Sequence, residues 1–145
     1  MKKSFAALAA LGVLFSLAMG QDAKPYSYEL KNGVGTCLLK EHPLDFIWSA
    51  AIKIFMTQNT KGFTWSNEPI TLNKPSGTMT GGWVMGKGVL KWDCNLNLLF
   101  EQKEEGISIF CTATRQRGGV GKKNQEKAAQ KFFDELIVVL YGAPK

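Results

Sequence analysis

Residues 89–115 read VLKWDCNLNLLFEQKEEGISIFCTATR and contain the clearest structural pattern in the chain. Apolar residues alternate with polar ones along the first half, the apolar set being Leu90, Trp92, Cys94, Leu96, Leu98 and Phe100. Side chains on a β-strand point alternately to its two faces, so this period predicts a long strand with one buried face. The alternation resumes after Glu-Glu-Gly, at Ile107, Ile109, Cys111 and Ala113. The stretch therefore predicts an antiparallel hairpin with a tight turn.

The hairpin register constrains the pairing of the three cysteines. With Lys103 opposite Gly106, Cys94 and Cys111 share a face but lie four residues out of register, ~13 Å apart along the strands. A disulfide needs Cα atoms within roughly 7 Å, so we expect no bond between Cys94 and Cys111. A bridge from Cys37 to Cys94 or Cys111 and three free thiols stay open as alternatives.

Two helical patterns flank the strands. Apolar residues recur at helical spacing after His42-Pro43, and again after Asn124, which we interpret as an N-cap. Before the first helix, Tyr26 to Leu30 is a short strand candidate, and Asn32-Gly33 breaks or bends it. We predict an α+β fold in the order helix, strands, helix. Both helices would pack on one face of an antiparallel sheet of three to five strands.

The N-terminus has the pattern of an export signal. Lys2 and Lys3 precede an apolar run at residues 5–18, and Ala18-Met19-Gly20 suits cleavage before Gln21. We predict a signal peptide at residues 1–20, one domain at 21–145 without a transmembrane span, and a periplasmic or secreted location. An uncleaved anchor or a buried helix is the alternative.

Positive charge is concentrated in one loop. The formal net charge of the chain is +6, and four cations accompany three glycines before the second helix: Arg115, Arg117, Gly118, Gly119, Gly121, Lys122 and Lys123. The N–H groups and dipole at a helix N-terminus favour anions, so this loop is a candidate site for a phosphate, a lipid headgroup or an acidic partner. A solvated connecting loop is the alternative. A local basic spot does not indicate nucleic acid as a partner.

A second candidate surface is the glycine-rich segment with Met79, Trp83 and Met85. Flexible methionines and a tryptophan are typical of surfaces that bind a ligand or a partner protein. Core packing beneath the helices is the alternative.

Catalytic and metal chemistry have little support. His42 is the only histidine, it precedes a proline, and it would have to act as a base for Cys37. Glu104 and Glu105 are adjacent on a turn, which indicates a solvated turn rather than an acid–base pair. Zinc would need Cys37, His42, Cys94 and Cys111, but no close cysteine pair is present to begin a site. We predict no catalytic residue, no metal and no cofactor.

A resemblance adds to this interpretation. A helix followed by GFTWS at residues 62–66 and SGTMTG at 76–81 resembles the layout of small helix-grip-like domains of bacterial envelope proteins, such as the C-terminal domains of outer-membrane assembly lipoprotein C. The resemblance covers roughly residues 44–141, lacks the lipoprotein cysteine, and implies a non-catalytic envelope module.

Three functions follow as expectations. The first is an exported, non-enzymatic binding or structural module of the bacterial envelope, with an envelope protein or an anionic lipid as partner. The second is a carrier of anionic lipid or of a small apolar ligand, the latter in a cavity lined by Trp48, Phe55 and Trp65. The third is an enzyme.

Overall fold

The computed structural model describes residues 23–59, 70–115 and 118–143. Two short strands, β1 (Tyr26–Lys31) and β2 (Val34–Leu39), precede helix α1 (Leu44–Asn59). Four more strands follow before helix α2 (Lys122–Tyr141), namely β3 (Thr71–Asn73), β4 (Thr78–Met85), β5 (Trp92–Lys103) and β6 (Gly106–Thr114). The predicted signal peptide and the GFTWS stretch lie outside the described residues.

The six strands form one antiparallel sheet in the order β1-β2-β6-β5-β4-β3. The prediction of three to five strands is therefore wrong, and a two-stranded hairpin, rather than one short strand, precedes the first helix. The cause is the Asn32-Gly33 pair, which does not break a strand but turns it. Both residues have positive φ angles, 55° and 83°, as a two-residue hairpin turn requires. Mixed α+β character is retained, with two helices and six strands in the described parts of the chain.

The hairpin of β5 and β6 has the predicted register. Lys103 pairs with Gly106, and Cys111 pairs with Leu98. This places Cys94 four positions from the partner of Cys111, on the same face of β5. The predicted hairpin is confirmed, although its first strand begins at Trp92 rather than Val89.

Both helices pack against the same face of the sheet, and glycines show where they come closest. A Cβ atom on Gly35 of β2 would lie 2.6 Å from the Cβ of Ala129 in α2. A Cβ on Gly81 of β4 would lie 2.6 Å from the ring of Phe55 in α1. The alternation along the strands puts Gly35 and Gly81 on one face, so a single core lies between the sheet and the helix pair.

Among the described residues, no helix is long and apolar enough to cross a membrane.

Candidate binding surface at the basic end of the sheet

The connection between β4 and β5 forms a protruding tip, residues 87–91. It consists of a single 3₁₀ turn, Gly88–Leu90, closed by hydrogen bonds from Leu90 N to Lys87 O (3.2 Å) and from Lys91 N to Gly88 O (3.4 Å). Val89 is fully exposed and Leu90 is 80 % exposed. The turn thus holds two adjacent apolar side chains in solvent, with a lysine on each side of them in the sequence.

The base of the tip is joined to the core. Met85 and Trp92 are cross-strand partners, and both are partly buried against core residues. The guanidinium of Arg115 lies 5.4 Å from the centre of the Trp92 ring, and Arg115 Nε donates a hydrogen bond to Asp93 O (2.9 Å). The ring contact and the hydrogen bond fix an exposed cation beside the tip.

Helix α2 adds lysines on the side that faces β4. Lys131 Nζ donates a hydrogen bond to Val84 O (2.9 Å) and lies 5.2 Å from the centre of the Trp83 ring. Lys127 and Lys123 lie one and two turns earlier on the same helix face, and both are exposed. We call the exposed set the basic end of the sheet: Lys87, Lys91, Arg115, Lys122, Lys123 and Lys127.

Acidic groups are sparse at the basic end and more frequent at the opposite end. In the part of the chain that the structure describes, Asp93 and Glu126 are the carboxylates at this end, and Glu126 already accepts a hydrogen bond from Gly33 N (2.9 Å). The opposite end carries Glu104 and Glu105 in the β5–β6 turn, with Glu101 nearby. The opposite end also carries Lys24, Lys40, Lys74 and Lys103, so its charges are mixed, whereas cations are in excess at the end with the apolar tip.

The predicted anion loop contributes charge rather than a backbone cradle. Gly118, Gly119 and Gly121 are exposed, and a Cβ on any of them would meet nothing within 4 Å. The N-cap is Gly121, not Asn124 as predicted, and Gly121 O accepts hydrogen bonds from Asn124 N (2.9 Å) and Gln125 N (3.0 Å). The N–H of Asn124, which a regular α-helix would leave without a backbone partner, is thus already bonded. Arg117 lies outside the described residues.

The structure places the second predicted surface mostly in the core. Met79 is 1 % exposed and Trp83 is 0 % exposed. The Trp83 ring contacts those of Phe55 (6.2 Å between centres) and Phe132 (5.8 Å), beneath both helices. Of the three residues, Met85 alone is more than marginally exposed, at the base of the tip.

The tip itself was not predicted as a site, because Leu90 continues the alternating pattern of β5 and was assigned to its buried face. Two signals in the sequence could have identified it. The first is the pair Gly86 and Gly88, since glycine favours turns. In the structure both have positive φ, at 82° and 57°, and the pairing of β4 with β5 ends before them. Lys87 and Lys91 bracket the apolar pair, as is typical of an exposed turn.

The cysteines are three buried free thiols. Burial raises the pKa of Cys37 and of Cys94 from 9.0 to about 12, and that of Cys111 further still. A protonated thiol is a poor nucleophile and a poor metal ligand. Within the described ranges, no three His, Cys, Asp or Glu side chains are grouped so that they could hold a metal ion.

His42 has a packing role in the structure. Its Nε2 donates a hydrogen bond to Leu140 O (3.1 Å), so the start of α1 is connected to the end of α2. The imidazole also lies between the rings of Phe46 (5.1 Å) and Tyr141 (4.9 Å). These contacts fix the orientation of the ring between the start of α1 and the end of α2.

The interior proposed for a carrier is occupied by aromatic rings. Trp48 lies 5.0 Å from Phe100, and Phe55 stacks on Phe132 at 5.6 Å. The third proposed lining residue, Trp65, lies outside the described residues. An open groove of about 390 Å³ is present instead on the outer side of the helix pair, where Ile54, Val138 and Val139 line it beside Asp134 and Glu135.

Comparison of the chain with protein-family models and with curated proteins found no match.

Proposed function

We propose that the protein is an exported, non-enzymatic binding module of the bacterial envelope that holds an anionic partner at the basic end of the sheet. The observation that carries this proposal is the apolar tip, Val89 and Leu90, which is bracketed by Lys87 and Lys91 and lies at the end where cations are in excess. Scattered apolar residues on a surface are ordinary. An adjacent, exposed apolar pair between Lys87 and Lys91, with the held Arg115 beside it, is a combination suited to binding.

The arrangement of the cations supports recognition of an anionic surface. Exposed charges are screened over roughly 8 Å at physiological ionic strength, so only clustered cations act together on one partner. Arg115 is held by Trp92 and Asp93 O, which reduces the side-chain entropy that binding would cost. A guanidinium held in this way can donate two parallel hydrogen bonds to a phosphate or carboxylate.

Other features favour a surface function over the two alternatives. Direct ring contacts between Trp48 and Phe100 and between Phe55 and Phe132 fill the space that an apolar ligand would need. The high pKa of Cys37 and the engagement of His42 with Leu140 O disfavour nucleophilic catalysis through these two residues. Export and the envelope location rest on the pattern of residues 1–20 and on the resemblance to envelope domains.

Retention on an anionic matrix tests the proposal. We expect replacement of Arg115, Arg117, Lys122 and Lys123 by Gln to abolish retention on heparin and on acidic lipid vesicles at low salt. Retention of the unaltered protein should weaken as salt rises, because exposed charges are screened.

A matched control has the same change in charge away from the basic end: Lys24, Lys40, Lys53 and Lys103 replaced by Gln. These four lysines are exposed, and the control should keep most of its retention. Equal retention of the two variants would show that the basic end is not a binding site and that the loop is a plain connector.

A further inference from the structure

We propose that the anionic partner is a lipid bilayer surface and that the tip inserts Val89 and Leu90 into its headgroup region. This inference rests on the proposed function and names the partner. The relevant geometry is the order of side chains along the hairpin. The two apolar residues come first, then Lys87 and Lys91, then Trp92 with Arg115 on its ring.

This order matches the layers of a bilayer interface. Exposed apolar side chains enter the acyl boundary, where amphipathic segments bury their apolar faces roughly 5–10 Å deep. Lysines lay their carbon chains along the apolar layer and keep their ammonium groups at the phosphates. Tryptophan is enriched at the headgroup level, where Trp92 would lie two residues behind Leu90. The guanidinium of Arg115 would then reach the lipid phosphates.

The protruding apolar pair favours a bilayer over other polyanions. A nucleic acid backbone would satisfy the lysines but would offer no apolar phase to Val89 and Leu90. An acidic protein would need a shaped pocket for both side chains, whereas a bilayer accepts a wedge without a complementary shape. The tip is closed by backbone hydrogen bonds, and Gly86 packs against Leu90 O, so the wedge is formed before binding.

The lysines of α2 set the orientation on the surface. Lys123 and Lys127 lie on the helix face that continues to Lys131, which reaches β4 beside the tip. Each Lys or Arg near an anionic bilayer increases binding about fivefold. With the tip inserted, the basic end faces the membrane and Glu104 and Glu105, at the other end of the sheet, face away from it.

A fluorophore on the tip tests insertion directly in the full chain. Val89→Cys can be labelled selectively with an environment-sensitive dye, because Cys37, Cys94 and Cys111 are buried and their pKa values are raised. The matched control is Val138→Cys, an exposed position on α2 beside Asp134 and Glu135. Any membrane affinity of residues 1–20 is common to both proteins.

We expect the dye at position 89 to shift to the blue with vesicles of mixed phosphatidylglycerol and phosphatidylcholine, and the dye at position 138 to stay unchanged. Vesicles of phosphatidylcholine alone should give little shift. Insertion would be contradicted if the emission of the dye at position 89 did not shift although the protein was bound to the vesicles. An equal shift at positions 89 and 138 would contradict it as well.

A variant series separates this inference from the proposed function. Val89→Ser with Leu90→Ser should weaken retention on acidic vesicles about tenfold and leave retention on heparin unchanged, since the lysines remain. Val138→Ser with Val139→Ser is the control and should change neither. Loss of the four cations at Arg115, Arg117, Lys122 and Lys123 without loss of retention would refute the proposed function itself. If the variant with Ser at positions 89 and 90 kept its retention on both vesicles and heparin, insertion of the tip into a bilayer would be refuted, but the proposed function would not. If the protein bound duplex DNA more tightly than acidic vesicles, the inferred partner would be a nucleic acid and not a bilayer.

Discussion

The guanidinium of Arg115 lies 5.4 Å above the ring of Trp92, where β6 has just ended and β5 begins. An exposed cation–π contact contributes about 0.5–1 kcal/mol, and the Nε hydrogen bond to Asp93 O adds to it. We expect Arg115→Lys to keep the charge but lose the planar stack and the Nε hydrogen bond. Retention on acidic vesicles should fall several-fold, as measured by sedimentation, and the unfolding midpoint in urea should fall slightly.

Lys53→Arg is the conservative control for that substitution. Lys53 is exposed on α1, away from the basic end, so its replacement by Arg should leave both retention and stability unchanged. If the Arg115→Lys variant bound acidic vesicles as strongly as the unaltered protein does, the contact with Trp92 would be a packing feature without a role in binding.

Gly81 is the position where the first helix is closest to the sheet. A Cβ there would lie 2.6 Å from Cδ1 of Phe55, whose ring is fixed between Trp83 and Phe132. We expect Gly81→Ala to lower the free energy of unfolding by about 1–3 kcal/mol, the usual cost of overpacking a core. Gly119→Ala is the control, since a Cβ at Gly119 meets nothing within 4 Å. Urea unfolding of the two variants measures the difference, and equal stabilities would contradict the close approach.

Gly35 and Gly81 explain why the sequence predicts some strands better than others. The hairpin of β5 and β6 has an apolar side chain at nearly every buried position, so both its existence and its register follow from the alternation. In β2 and β4 a buried position is occupied by glycine, because α2 lies over Gly35 and α1 over Gly81. The apolar pattern is interrupted where the helix packing is tightest, so β2 was not recognised as a paired strand.

The candidate site was predictable only in part. A cluster of cations in the loop before α2 is visible in the sequence, but its neighbours on the hairpin tip are not. Leu90 has the spacing of a buried residue of β5. Its exposure depends on the turn at Gly86 and Gly88, which ends the pairing of β4 and β5 before Leu90 is reached. An apolar residue just before β5 has the same spacing whether the strand pairing extends to it or not, so the sequence pattern does not show whether it is buried.

Gln58 at the end of α1 is a buried amide that is only half satisfied. Its Nε2 donates to Glu135 Oε1 (3.2 Å), while its Oε1 has no hydrogen-bond partner in the part of the chain that the structure describes. A buried, unpaired polar atom costs about 1–3 kcal/mol. We expect Gln58→Met to raise the free energy of unfolding by about 1 kcal/mol. Gln58→Glu should lower it, because two carboxylates would then face each other. Chemical denaturation at neutral pH checks both, and a large loss in Gln58→Met would mean that the amide bond to Glu135 outweighs the unpaired oxygen.

The buried thiols predict a loss of stability in alkali. Burial raises the pKa of Cys37 and of Cys94 in the folded protein to about 12, above the ordinary value of 9.0. The protonated form is favoured by folding, so this contribution is fully present below about pH 9 and is lost as the pH rises towards 12. The raised pKa values of Tyr28 and Tyr141, caused first by burial, act in the same direction. We expect the free energy of unfolding in urea to fall steadily over this range, and Cys37→Ala to reduce the slope.

The native protein should react very slowly with iodoacetamide at about pH 8, and all three cysteines should be modified once it is denatured without reductant. Rapid modification of the native protein would contradict the burial of the thiols, and a linked Cys94–Cys111 peptide would contradict the register of β5 and β6.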